Sequence, residues 1–441
     1  MKKIHFLFLI FVINIGFSQY SISGNLTPTK DFKWLIAYQL TPTGQNYIAD
    51  TEVSEGYFDL KLPVTAQPGM YRLVYAVPQD EYFIDVIYNK KENIEFNFDL
   101  NQGINFIKSE ENLLYTKYLE EINSAQNELL DYYSTGKTSQ NEFNEIIGKL
   151  RNVQNRYEAI APESIAHQFI SSKRNYVPES QVPLETFLQN KKSSYFEHLD
   201  VDNRILQSSG FLTDKITNYV FSALSPSIST QVELEKAIEE NIAVVHQKIS
   251  STPEEYKLAV YQKLWNMAQD NSLFTVADFI FENYLKVLAL DNGNTTLIDE
   301  IETASRLRLG TKSPEITWKK NGKTYSLSDL QGTEHYVLIF WSSTCSHCLK
   351  EVPLLHKELE KFKNVAVLGV GLEDDDINWK KEVARLPNFE HAIALGKWES
   401  DYAKIFAIDK TPTYFILDSE KRFIAKPESD KELIEFLRKN E

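Results

Sequence analysis

The sequence predicts a multidomain chain with an N-terminal antiparallel β-sandwich, an all-α middle region and a C-terminal α/β domain. Three patterns predict it. Short alternating runs fill residues 19–107, helical spacing takes over through 108–308, and a strand–turn–helix pattern opens within 309–441. The composition, 42% hydrophobic and 25% charged over 441 residues, excludes collagen-like, low-complexity and membrane-bundle chains. Lys+Arg 47 against Asp+Glu 62 gives a net charge of −15, so a phosphate-neutralising surface is not expected and nucleic acid is not a partner.

Lys2 and Lys3 precede an apolar run from Phe6 to Ile13, with small residues at Gly16 and Ser18. This pattern describes a secretory signal peptide over residues 1–18, cleaved after Ser18. The run falls short of the ~20 residues that span a bilayer, although an uncleaved tether is the alternative use of such a segment. No later stretch is apolar enough to cross a membrane. The expected location is therefore the periplasm or cell envelope.

Within 19–107, runs such as Trp34–Leu40, Tyr57–Leu62, Tyr71–Val77 and Ile94–Phe98 are separated by turn signals at Pro42-Thr-Gly44 and Gln67-Pro-Gly69. Regular short strands of this kind suit a sandwich. In the middle region, Leu114, Tyr118, Ile122, Ala125, Leu129 and Tyr133 recur every three or four residues, as do Leu234, Ile238, Ile242, Val245 and Ile249. Such stripes mark the buried faces of helices. Thr252-Pro-Glu-Glu255 predicts a capped helix start. Neither region shows residues that carry chemistry. Their expected role is a platform that chooses partners or holds a homodimer.

The chain has two cysteines, Cys345 and Cys348. A bridge so local closes a minimal loop and adds little stability, which argues against a structural staple. His335–Trp341 is an apolar run suited to a buried strand, and Leu349–Phe362 has helical spacing. A helix beginning at the first cysteine surrounds its sulfur with unpaired amide N–H groups, which favour thiolate over thiol. The thiolate is the nucleophile. Cys345 is thus the expected attacking sulfur, and Cys348, a turn further in, the one that resolves the mixed disulfide.

The segment Trp341-Ser-Ser-Thr-Cys-Ser-His-Cys-Leu-Lys-Glu-Val-Pro353 resembles the active-site segment of thioredoxin-fold proteins, most of all the exported TlpA/ResA-type thiol–disulfide oxidoreductases. The resemblance covers roughly 309–441. It includes Gly310–Ile316 and Asn321–Gly332, similar to that family's opening hairpin, and Lys410-Thr-Pro-Thr-Tyr-Phe-Ile-Leu417, similar to its cis-proline strand. The β region ahead is loosely similar to β domains that precede such domains.

The resemblance implies a thioredoxin fold, a redox-active Cys345–Cys348 disulfide with no other cofactor, and partners among exported protein thiols and an upstream redox protein. It implies a cis Thr411–Pro412 bond whose backbone pairs with an extended substrate segment, a form of strand addition. Glu373 ends the run Val365–Leu372, and carboxyl ends of parallel strands share one edge. That places it beside the cysteine turn as the proton acceptor for Cys348, its pKa raised by partial burial. The alternative is that Glu373 simply opens the solvated acidic run Glu-Asp-Asp-Asp376.

His347 stands where related reductases often carry proline. An imidazolium near the Cys345 thiolate would tune its pKa and make a stronger oxidant, so the direction of electron flow stays open. Trp341 either shields the site as part of the substrate surface or fills the core. Pro353 is expected to kink its helix.

Other chemistries fit less well. Leu349 follows Cys348, so the haem-attachment pattern is absent, and no second Cys/His pair completes a zinc or other metal site. Ser342 stands where a thiol peroxidase would want threonine, which makes peroxidase a minor alternative. The non-enzymatic alternative is an envelope binding or assembly protein whose dithiol is incidental.

Overall fold

Residues 20–440 are described in the computed structural model, so the expected signal peptide lies outside them. The N-terminal strands are β1 (Ser21–Thr27), β2 (Trp34–Thr41), β3 (Gly44–Glu52), β4 (Tyr57–Lys61), β5 (Gly69–Val74), β6 (Phe83–Tyr88), β7 (Ile94–Asp99) and β8 (Gly103–Lys108). They form two four-stranded sheets, in the orders β4-β1-β7-β8 and β3-β2-β5-β6. Alternate side chains of both meet in one cluster, with Ile22, Phe58 and Phe96 from the first and Leu35, Tyr71 and Val86 from the second.

The purely antiparallel expectation needs a correction. β1 pairs in parallel with β7, Ile22 opposite Ile94 through Thr27 opposite Asp99. Parallel neighbours need a long connection, and the five intervening strands supply it. The pair approaches closely at Gly24, where a Cβ would lie 1.7 Å from the Phe96 carbonyl oxygen. Only glycine fits there.

The helices that follow are α1 (Glu110–Ser134), α2 (Gln140–Ala159), α3 (Ile165–Ser172), α4 (Leu184–Ser193), α5 (Arg204–Ser208), α6 (Phe211–Ser222), α7 (Gln231–Lys248), α8 (Glu254–Asp270), α9 (Phe274–Ile280), α10 (Lys286–Asp291) and α11 (Thr295–Arg306). A five-residue π turn joins α9 to α10. The apolar stripe of α1 buries Tyr118, Ile122, Ala125, Leu129 and Tyr132.

Polar groups fix how α1 enters and what it holds. The Ile87 N–H donates to the side-chain oxygen of Asn112, whose amide donates back to the Ile87 carbonyl, both at 2.8 Å. Buried Glu111 accepts the Ile165 and Ala166 amides at the start of α3, where an anion offsets unpaired N–H groups. The cap expected at Thr252 is not formed. Its hydroxyl donates to the Ile249 carbonyl at the end of the preceding helix, and α8 starts after Pro253.

The described residues up to Leu288 form one unit and those from Ala289 a second. The second begins within α10 and continues with α11 and the hairpin β9 (Thr317–Lys320) and β10 (Lys323–Ser326), joined through Asn321 and Gly322 at φ 51° and 78°. Asn-Gly is favoured for a two-residue hairpin turn because both positions need positive φ.

The remaining elements are β11 (His335–Trp341), α12 (Cys348–Leu359), β12 (Val365–Glu373), α13 (Ile377–Val383), β13 (Glu390–Leu395), α14 (Asp401–Ile405), β14 (Thr413–Leu417), β15 (Phe423–Ala425) and α15 (Asp430–Lys439). The strands order as β13-β12-β11-β14-β15, with β11 parallel to β12 and antiparallel to β14. β11 is central. Leu338 and Phe340 enter one buried cluster, while Val337, Ile339 and Trp341 enter the other. Burial on both faces explains why its sequence is continuously apolar.

Candidate redox site

The site lies where β11 ends and α12 begins. The chain turns through Ser342, Ser343 and Thr344, and the Cys345 N–H donates to the Ser342 carbonyl at 3.2 Å. α12 begins at Cys348 rather than at Cys345, but the Leu349 N–H donates back to the Cys345 carbonyl at 3.1 Å. Cys345 therefore closes the first turn without belonging to the helix. Pro353 lies inside α12 as expected.

Both sulfurs are free thiols, Cys345 half-buried and Cys348 fully buried. The Cys348 N–H donates to Cys345 Sγ at 3.3 Å, and that thiol lies 3.7 Å from the Thr411 carbonyl oxygen, which accepts from it. Burial pushes the Cys345 thiol up. Hydrogen bonds from the Cys348 thiol and amide, the Thr411 side chain and the His347 amide outweigh it, leaving Cys345 below the ordinary thiol value. Burial and the hydrogen bond to Cys345 push Cys348 up to about 12. N–H and S–H groups aimed at a sulfur stabilise its anion, whereas an apolar enclosure without them does the reverse.

The Thr411–Pro412 bond is cis, and Pro412 is buried. Thr411 touches the dithiol through the carbonyl that accepts from Cys345.

Glu373 is buried, not part of a solvated loop. Its Oε1 accepts the Ser343 N–H, and its Oε2 lies 3.5 Å from the donating Ser342 hydroxyl. Of the acidic run, Asp374 turns outward and pairs with Lys397 at 2.6 Å. The shared edge of parallel strands does bring Glu373 to the cysteine turn. Its hydrogen bonds, however, hold that turn rather than either sulfur.

Two expectations change. Trp341 is 2% exposed and packs in one cluster with Cys348 and Val352, so it fills the core beneath the dithiol instead of offering substrate a surface. Gly369 and Gly371, two apart on one face of β12, make room there. A Cβ at Gly369 would lie 3.3 Å from Trp341 Nε1, and one at Gly371 would lie 2.4 Å from the Trp379 ring. The His347 imidazole turns to Glu351, with Nε2 and Oε2 2.7 Å apart, and it is the His347 amide that reaches Cys345.

Glu351 was not singled out by the sequence. The buried Tyr414 hydroxyl donates to its other oxygen, which makes a chain from His347 through Glu351 to Tyr414. Burial and then the Glu351 bond drive the Tyr414 phenol far above its ordinary range. The i,i+4 spacing of His347 and Glu351 on one helix was a readable signal. Tyr414, on another strand, gave none. Among the described residues no cluster of His, Cys, Asp and Glu is arranged to hold a metal.

Residues 309–424 match the AhpC/TSA family. The C-terminal region is thus a thioredoxin-like domain of that kind. The thiol–disulfide oxidoreductase ResA of Bacillus thuringiensis is 27% identical over 140 residues, covering 30% of this chain and 79% of that protein. The thioredoxin domain of a thiol–disulfide oxidoreductase from Bacteroides vulgatus is 27% identical, covers 30% of this chain and 98% of its own, and has a TM-score of 0.28. A thioredoxin-like protein from Bacteroides caccae is 15% identical over 60% of this chain and 97% of its own, with a TM-score of 0.32. Assignment of the C-terminal region to the oxidoreductases agrees with the name of the Bacillus thuringiensis relative.

Proposed function

We propose that the domain at 309–441 exchanges disulfides with exported protein substrates through Cys345 and Cys348. One observation carries the reading. Two thiols three residues apart have opposite acidities, the half-buried one lowered and the enclosed one raised. Such asymmetry suits an attacking and a resolving sulfur.

In the reducing direction, Cys345 thiolate attacks a substrate disulfide sulfur, the substrate S–S bond breaks, and a mixed disulfide forms. Cys348 then loses its proton and attacks Cys345 Sγ. The substrate leaves as a dithiol and the protein as the Cys345–Cys348 disulfide, two electrons having passed to substrate. An upstream dithiol returns them. Each step also runs in reverse, and the balance is set by the reduction potential.

Cys348 needs a proton acceptor. Glu373 is our first assignment, acting when the Ser342–Ser343 turn shifts, and Glu351 lies on the chain that ends beside Cys348. Thr411 and Pro412 would align an extended substrate segment by backbone pairing. We assign the two N-terminal sheets to a β-sandwich at 19–107, and the helices at 108–308 to a second accessory region. A signal peptide at 1–18 would place the protein in the periplasm or envelope.

The test is to mix the Cys348→Ser variant of the full chain with a disulfide-bonded protein. A stable mixed disulfide at Cys345 is expected. Failure to trap any adduct overturns the proposal. Peroxide consumption by Cys345 that survives Cys348→Ser would instead favour the peroxidase reading.

A further inference from the structure

A cavity of about 560 Å³ opens among α3, α4 and α6, far along the chain from either cysteine. Its lining includes four lysines, Lys173, Lys191, Lys192 and Lys215, against one carboxylate, Glu185. All four are half-buried. Among the described residues none of the four has a salt-bridge partner, and the ammonium groups of Lys173, Lys192 and Lys215 stand over aromatic rings instead. Lys173 and Lys215 lie 6.0 and 5.9 Å from the centre of the same Phe211 ring, and Lys215 is also 5.4 Å from that of Tyr195.

This clustering works against the fold. Lysine is almost never buried unless it is paired, and like charges in a low-dielectric cleft repel. Lys173, Lys191 and Lys192 have partial compensation, because they stand at the C-terminal ends of α3 and α4, where the helix dipole favours cations. Lys215 has none, being in the N-terminal half of α6. Burial, followed by repulsion from Lys173 and Lys191, pulls it down to about 8. The nearby Glu240 acts only on Lys192 and partly offsets its burial. In a chain of net charge −15, four cations turned into one cavity are not a general surface property.

The rest of the lining is mixed. Gln126, Asn175 and Asn218 offer amide donors, Ser222 a hydroxyl, and Leu188 and Leu224 an apolar wall. The volume suits a small molecule. We propose that this cavity binds a small polyanion, a compound with at least two phosphate or carboxylate groups and a short apolar segment, whose charge neutralises the lysines. A cleft lined by one sign of charge focuses its field on such a ligand.

The test uses the full chain and calorimetric titration with inorganic pyrophosphate and with citrate, against sodium chloride of equal ionic strength. Saturable binding of at least one probe is expected. Pyrophosphate alone would point to phosphate ligands, citrate alone to polycarboxylates, and both to charge recognition. Lys191→Gln and Lys215→Gln should each weaken binding at least tenfold, whereas Lys149→Gln, whose parent pairs with Glu128 on the surface, should change nothing. Acetylation of the unmodified protein gives a readout that does not depend on variant folding. Lys215 should react readily at neutral pH and be protected by the bound probe. Binding no stronger than chloride, or binding and labelling indifferent to these lysines, would overturn the proposal.

Discussion

Cys345 in the thioredoxin-like domain and Lys215 in the helical region are both held below their ordinary pKa, for opposite physical reasons. At Cys345 burial opposes the shift, and directed hydrogen bonds from Cys348 overcome it, so the charged form is stabilised. At Lys215 burial and like charge cause the shift, so the charged form is penalised. On the readings proposed above, a lowered pKa marks a nucleophile in one place and a need for a counter-charge in the other. The distinction lies in which donors face the group, not in the size or direction of the shift.

Breaking the comparison at the cysteine end has the largest expected effect. Cys345→Ser should reduce disulfide turnover to background, a loss above about 10³-fold of the kind seen when a nucleophile is removed. It should leave titration of the helical cavity unchanged, as a calorimetric control would show.

Glu373→Ala comes next. It strands the buried Ser343 N–H and should lower stability by about 1–3 kcal/mol in urea unfolding. Glu373→Gln keeps an acceptor while removing the charge. It should restore most of the stability but lower turnover if the carboxylate takes the Cys348 proton.

Gly371→Ala pushes a methyl into the Trp379 ring and should cost about 1–3 kcal/mol by the same measurement. The smallest change is expected for His347→Ala. Its side chain is largely exposed and bound to Glu351, so turnover should change less than about fivefold. A larger change would mean that the imidazole acts on Cys345 after all.

The two sites also differ in how far the chain displays them. Cys345, Cys348 and the apolar run of β11 are adjacent in sequence, and a strand–turn–helix joint is a local event. Glu373 was reachable by one further rule, the shared edge of parallel strands, although the rule gave its location and not its hydrogen bonds. Trp341 was ambiguous because an indole suits a core and a surface equally, and the glycines of β12 that make room for the indoles declare themselves only through packing. The parallel pairing of β1 with β7 was hidden because a run of alternating residues names no partner. The four lysines come from three elements of different register, and their meeting belongs to tertiary structure. Glu351 was visible as an i,i+4 partner of His347, but Tyr414 reaches it from β14, the antiparallel neighbour of β11.

The most direct measurement is the pH dependence of alkylation at each cysteine in the reduced full chain, read by mass spectrometry. Protonation silences a thiolate, so reactivity falls as pH drops through each group's midpoint. The reading requires Cys345 to react with a midpoint below the ordinary thiol range while Cys348 stays unreactive through pH 9. Equal midpoints for the two sulfurs, or a Cys345 midpoint at or above that of a free thiol, would contradict it.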